Sequence, residues 1–375
     1  MMQRYLRVAK VALALYCVDG ILRKGWWHGM PQLFFKEDDE RMKRILKRMN
    51  IQRYMPTFWA HGAYAQLVVF MVYKLLFKNS VSYERHVLSC PDGGHVCVKF
   101  VSQTSLEKDA PVVLILHTIT GMKHDENELV QYALRKGWRP VLLMRRGHFK
   151  DTLSTPRFNI MGEVEDTKLM VNYVAERFPD SFIAAIGVSA GSGAVVSYIG
   201  NQDPHLPVKA AVSLCPAYSL KYAFENLQKN SPLCATALLL LLKRFFLHPN
   251  HAVLKSTPGF QQALHSRTLP DFVRNACHMA GYDSYEAYLR SSDPTEHISG
   301  NKVPCLLVNS TDDPLCLEEN ISYNLANNTE HFALLLTKSG SHIAYRHGLL
   351  GQHSYMHQVA IDFIEAVREN YNTKS

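Results

Sequence analysis

From about residue 83 onward the chain alternates between short apolar runs and longer stretches with helical spacing. The runs at 112–116, 140–144, 181–186, 210–215, 304–309 and 332–337 are almost unbroken by polar residues. Runs of that length, bounded by turn residues, read as strands buried on both faces. Between them, 126–136, 163–178, 192–199, 317–326 and 353–369 space their apolar side chains as helices do when they pack on a sheet. Ahead of the series, 85–90 and 95–101 flank Pro91-Asp92-Gly93-Gly94, an Asp-Gly turn that predicts a β-hairpin. Two hairpin strands and six single ones make eight. The pattern therefore predicts an α/β chain, with an eight-stranded, mostly parallel sheet and helices on both faces.

One stretch breaks the alternation. Residues 216–300 are mostly helical in pattern and include the leucine run 238–242. Lying between two strands of one sheet, they are expected to fold as a cap, either simply packed on the domain or serving as a lid or acyl-chain tunnel. Residues 1–80 read as an apolar and basic segment ahead of an 81–375 domain. In that segment Arg4, Arg7 and Lys10 precede the apolar run 11–18. That run is well short of the roughly 20 residues needed to span a bilayer. An amphipathic surface helix and a weak signal anchor are both open readings. A second apolar stretch, 58–77, carries His61, Gln66 and Lys74, which suits a core-packed or membrane-surface helix better than a span.

Composition then narrows the partners. With 375 residues, 47% hydrophobic and 20% charged, the chain has globular values and ample core. Net charge is +8, with a denser basic cluster of Lys36, Arg41, Lys43, Arg44, Lys47, Arg48 and Arg53. No basic stripe with interleaved aromatics is present, so nucleic acid is not an expected partner. An anionic membrane surface and a plain solvated helix face are the two readings of the cluster. None of the eight cysteines forms a CxxC pair, and several, Cys305 among them, sit in apolar runs. Neither a metal site nor a disulfide framework is expected.

The candidate chemistry centres on Gly187-Val188-Ser189-Ala190-Gly191, between a strand and a helix. A serine there, flanked by glycines two residues away on each side, is a nucleophile elbow. The turn is too tight for side chains at the flanking positions, and it aims the following N–H, on Ala190, at an oxyanion. The second oxyanion donor is expected in the loop after the 112–116 strand, with the Ile119 N–H first and Thr118 next. After the strand that follows the cap comes Asp312-Asp313-Pro314. Asp313, the residue before the proline, is the expected acid and Asp312 its alternative. After the last strand, Gly340-Ser341-His342 supplies the expected base, with His347 in reserve. The order Ser189, Asp313, His342 is that of an α/β-hydrolase triad.

With these residues in place, the sequence resembles the α/β-hydrolase-domain family of membrane-associated lipases and esterases, in the branch of the YheT-type and EMB8-like proteins. The resemblance runs from about Thr57 to the end. It covers Phe58-Trp59 with Gln66, Asp92-Gly93-Gly94, Arg146-Gly147, Thr155-Pro156-Arg157 ahead of Glu165-Asp166, the elbow, Tyr288-Leu289-Arg290-Ser291-Ser292, and the acid and histidine motifs. It implies the α/β-hydrolase fold and a serine hydrolase of carboxylic esters, often lipid esters, with no cofactor. It also implies a membrane location, on the endoplasmic reticulum or another internal membrane, with the cytoplasm as the alternative. The family usually carries glycine where Thr118 stands. Acyl transfer from the same acyl-enzyme, and a non-catalytic ligand-binding member of the fold, are the rival functions.

Overall fold

A computed structural model of the chain describes residues 15, 16, 18, 29–76, 81–102, 104–121, 126–148, 151–200 and 205–373. The basic-then-apolar run expected over 1–22 falls almost wholly outside them.

The apolar runs form the sheet. Its strands are β1 (Gln32–Phe35), β2 (Tyr83–Ser89), β3 (His95–Val101), β4 (Val112–Leu116), β5 (Arg139–Met144), β6 (Ile183–Val188), β7 (Val208–Leu214), β8 (Cys305–Ser310) and β9 (Phe332–Thr337). They lie side by side in the order β1-β9-β8-β7-β6-β4-β5-β3-β2. The run from β9 to β5 is parallel throughout, and the hairpin β2–β3 and the strand β1 close the two edges antiparallel. The expected count of eight is therefore one short. The extra strand, β1, pairs with β9, Gln32 opposite Leu336, so the sheet draws on residues before 81. It is only four residues long, partly exposed and followed by Lys36-Glu37-Asp38-Asp39, a context in which an edge strand leaves little apolar signal.

Successive side chains of a strand point to opposite faces. Val113, Ile115, Ala184, Ile186 and Val212 pack beneath α1 (Glu40–Arg48), α3 (Asn127–Arg135) and α13 (Tyr355–Asn372). Val112, Leu114, Ile183, Ala185 and Ala211 pack beneath α4 (Val164–Arg177), α5 (Ala190–Ile199) and α12 (Tyr323–Asn328). From β4 the chain moves outward to β5 and then crosses back to β6 on the other side of β4. Strand order thus reverses between β4 and β6, and the crevice at their carboxyl ends is where such sheets place a site.

The 216–300 insertion is helical: α6 (Leu220–Asn230), α7 (Pro232–Leu242), a π-helical turn Lys243–Leu247, then α8 (His251–Leu254), α9 (Phe260–His265), α10 (Leu269–Ala276) and α11 (Tyr285–Ser292). Its core residues Phe224, Leu239, Leu242, Phe246 and Phe272 are continuous with Phe158 and Ile160 after β5 and with Ala190 at the start of α5. The cap is therefore seated over the β4–β6 crevice. The 58–77 stretch becomes α2 (Ala63–Leu76), with Gln66 fully buried and hydrogen-bonded to the Arg346 backbone N–H at 2.6 Å and C=O at 3.2 Å. Part of the basic cluster is engaged within the fold. Lys36 pairs with Glu330 at 3.0 Å, Lys43 with Glu40 at 2.8 Å, and Arg41 donates to the Lys302 carbonyl at 3.2 Å.

Candidate active site

The site begins with the sharp turn between β6 and α5. Ser189 has φ 54° and ψ −113°, a conformation that side-chain-bearing residues seldom adopt. The flanking glycines show why the turn closes. A Cβ on Gly187 would lie 2.1 Å from the Gly191 carbonyl oxygen, and one on Gly191 would lie 2.1 Å from that of Leu116. The Ser189 N–H donates to the Leu214 carbonyl at 2.9 Å, tying the strained residue to β7.

Ser189 Oγ lies 2.8 Å from His342 Nε2, and His342 Nδ1 lies 2.8 Å from Asp313 Oδ2. With the proton assigned to Nδ1, the imidazole donates to Asp313 and accepts from the serine hydroxyl. Asp313 is 1% exposed. Its other oxygen accepts from the N–H groups of Leu315 at 2.7 Å and Cys316 at 3.0 Å, so the carboxylate is oriented from behind. The alternative acid, Asp312, points elsewhere: its Oδ1 accepts the Ser341 N–H at 2.8 Å and braces the histidine loop. Burial pushes the Asp312 carboxyl up to about 6, and the neighbouring Asp313 charge adds to the effect. The reserve histidine, His347, lies on the short strand Arg346–His347, paired with His353–Ser354. Burial first, then His353 and Arg346, lowers its pKa to about 4.

The histidine loop is bent through several left-handed residues: Ser341 at φ 57°, Ile343 at φ 58° and Tyr345 at φ 43°. Cys215, just after β7, also has positive φ, 55°, and its thiol accepts the Ile343 N–H at 3.3 Å. Sequence reasoning assigned nothing to Cys215 or to the bracing by Asp312. An isolated cysteine ending an apolar run and one acid of a tandem pair carry no distinguishing pattern.

A cleft beside Ser189 encloses about 460 Å³ of space, part of it open to solvent. Ala190 and Ile119, the two expected oxyanion residues, line it with Ser189 and His342. The cap contributes Leu220, Ala223, Phe224 and Leu238, so the wall opposite the serine is apolar. The second choice for the oxyanion loop, the Thr118 N–H, is already taken: it donates to Glu126 Oε1 at 2.9 Å.

The scattered motifs of the resemblance also meet in space. Arg146 donates to Asp92 in the hairpin turn at 2.5 Å and to both oxygens of Asp166 on α4, at 2.6 and 2.7 Å. Arg157 pairs with Glu163 at the start of the same helix. This network ties the ends of β2 and β5 to the start of α4.

Comparison with known proteins agrees with this architecture. A family model described as "Serine aminopeptidase, S33" matches residues 108–344. The bovine protein named "Phospholipase ABHD3" is 26% identical over 96% of this chain and 88% of its own length. Human "Protein ABHD15" is 26% identical over 88% of this chain and 72% of its own length. Mouse "Monoacylglycerol lipase ABHD2" is 22% identical over 98% and 93%. Among solved structures, the Pyrococcus furiosus esterase Pf2001 superposes with a TM-score of 0.48 at 15% identity, covering 76% of this chain and 92% of that one. With the family model spanning more than half of its length, from before β4 to the histidine loop, the chain belongs to the serine aminopeptidase S33 family of α/β hydrolases.

Proposed function

We propose that this hydrolase is a serine esterase that cleaves carboxylic esters of apolar acids, lipid esters foremost. The observation that carries the reading is the hydrogen-bonded series Ser189–His342–Asp313 at the floor of an apolar cavity. Ser189 Oγ attacks the ester carbonyl while His342 Nε2 takes its proton, and Asp313 steadies the imidazolium through Nδ1–H. The carbonyl oxygen, now negative, is held by the N–H groups of Ala190 and Ile119. His342 returns the proton to the leaving alcohol, and the acyl group stays on Ser189. Water, activated by the same histidine, then releases the acid and regenerates the serine.

The lining supports an ester over a peptide with a free amino terminus. An aminopeptidase needs a carboxylate to hold the substrate's ammonium group, and among the described residues the lining includes neither Asp nor Glu. Leu220, Phe224 and Leu238 suit an acyl chain instead. The names of the bovine and mouse relatives, a phospholipase and a monoacylglycerol lipase, point the same way.

A membrane surface is the partner that fits this substrate. Among the described residues no helix is long and apolar enough to cross a membrane. Tyr64, Val68, Met71 and Val72 on α2 are exposed, as are Leu349, Leu350 and, on cap helix α7, Leu233. Tyr64 hydroxyl meets Ser231 beside α7 at 2.5 Å, and Trp59 donates to the Leu349 carbonyl at 2.8 Å, so these patches adjoin. The decisive experiment is turnover of nitrophenyl esters of increasing chain length and of a monoacylglycerol, by wild type and Ser189→Ala. Turnover that is lost in the variant supports the reading; turnover unchanged by the substitution overturns it.

A further inference from the structure

The oxyanion loop after β4 is held by a buried cluster that the mechanism above does not use. Thr118 C=O and the Ile119 N–H belong to one trans peptide plane, so they point in opposite directions. The Thr118 oxygen accepts from Arg145 Nη2 at 2.5 Å and from His117 Nδ1 at 2.7 Å. His117 Nε2 accepts the Arg145 backbone N–H at 3.2 Å, which assigns the proton to Nδ1; Arg145 Nη2, 3.1 Å from that nitrogen, is then a neighbouring donor that shares the Thr118 oxygen rather than a partner of the ring. Burial, with Arg145 adding to it, lowers the His117 pKa well below the usual histidine range, so the ring is neutral and this tautomer is kept. At its two ends the segment is fixed again, by Glu126 on the Thr118 N–H and by His148 Nε2 at 3.1 Å from the Ile119 carbonyl. With the Thr118 carbonyl held by two buried donors, the Ile119 N–H faces away from them, and Ile119 is itself a lining residue of the cavity.

Arg145 is an expensive way to do this. It is 7% exposed, and its Nε and Nη1 find no hydrogen-bond partner among the described residues. Desolvating a guanidinium without satisfying it costs several kcal/mol. Gly162 makes room for it: a Cβ there would lie 2.5 Å from Arg145 Cδ. A neutral donor would serve if the loop needed only a hydrogen bond. A cation on the carbonyl does more, because it polarises the peptide and strengthens the N–H at its far side.

We propose that Arg145, with His117 as its neutral second, is a positioning residue for the oxyanion: it sets and polarises the Thr118–Ile119 peptide so that the Ile119 N–H meets the developing negative charge. The inference rests on the esterase reading and deepens it. Burial lowers the Arg145 pKa to about 9, so the charge persists at neutral pH.

The test uses the full chain with Arg145→Met and Arg145→Lys. A fluorophosphonate is taken to end point to count competent serines, and kcat and KM for a nitrophenyl ester are expressed per labelled serine. Arg145→Met is expected to lose about 100-fold in kcat, the scale of one oxyanion donor, with KM within about twofold of wild type. Arg145→Lys keeps the charge but not the planar fork and is expected to lose about tenfold. A purely structural role would lower the number of labelled serines and leave kcat per serine unchanged. Wild-type kcat per serine in both variants overturns the proposal, as does wild-type kcat in Arg145→Lys when Arg145→Met does not fold. If the wild type itself is neither labelled nor active, the esterase reading fails first, and the two failures are thereby told apart.

Discussion

Two loops meet over the cavity, and opposite physics holds each of them still. The elbow after β6 is fixed by sterics: Gly187 and Gly191 let backbones approach so closely that a single added Cβ would overlap a carbonyl. The loop after β4 is fixed by buried polar groups: Arg145, His117, Glu126 and His148 each grip part of the backbone from Thr118 to Ile119. A steric constraint leaves a local signature in sequence, because glycine must stand at set distances from the serine. A polar clamp assembles residues 117, 126, 145 and 148, and nothing in their spacing along the chain shows that they meet. For the task proposed for both loops, placing one N–H each for an oxyanion, the support is therefore legible on one side of the cavity and hidden on the other.

The comparison can be broken hardest on the steric side. Gly191→Ala puts a methyl 2.1 Å from the Leu116 oxygen, where neither backbone can give way. The expected result is loss of folded protein, a destabilisation above about 4 kcal/mol, read by denaturant unfolding. If Gly191→Ala unfolds like wild type, the elbow is not held by backbone contact. Next in size is Asp313→Asn, which keeps the shape but offers an amide to His342 Nδ1. It is expected to lower kcat on the order of 10³–10⁴-fold, by single-substrate kinetics, with thermal stability little changed. The same loss in Asp312→Asn would exchange the roles of the two acids.

The smallest effect sharpens the picture of the histidine loop. Asp312 is buried beside Asp313, and its carboxyl is raised to about 6. The raised value means that the folded protein prefers the protonated acid, so ionisation costs stability as pH rises from about 4 through about 6, and the cost persists at pH 7.5. Asn keeps an oxygen for the Ser341 N–H and removes the charge. Asp312→Asn is therefore expected to be more stable than wild type at pH 7.5, by up to about 3 kcal/mol, with the gain vanishing toward pH 4. A lower Tm than wild type at both pH values would show that the charge itself anchors the loop.

What could be read in the sequence follows the same division. The six central strands are mostly apolar because both their faces are covered, and no half-polar alternation obscures them. β1 was not legible, because a four-residue edge strand makes its bonds with one neighbour and needs little apolar character to do so. The elbow, the acid and the histidine stand at the carboxyl ends of their strands, so topology and a short motif place each of them. Asp312 and Asp313 are the instructive pair. Their sequence context is shared, and only the loop geometry sends one to His342 and the other to the Ser341 N–H. Arg145 and Arg146 repeat the lesson. Arg145 is buried behind the loop after β4 and Arg146 joins three elements of the scaffold, and nothing in the residue type tells these two places apart.

The central claim is that His342 activates Ser189 for attack. The most direct measurement is fluorophosphonate labelling of wild type, Ser189→Ala and His342→Ala, with the modified residue located by mass spectrometry of the digest. The account predicts one adduct per chain on Ser189 in the wild type, none in Ser189→Ala, and labelling slowed by at least about 10³-fold in His342→Ala. A folded wild type that stays unlabelled, or a Ser189 that reacts as fast without His342 as with it, would contradict it.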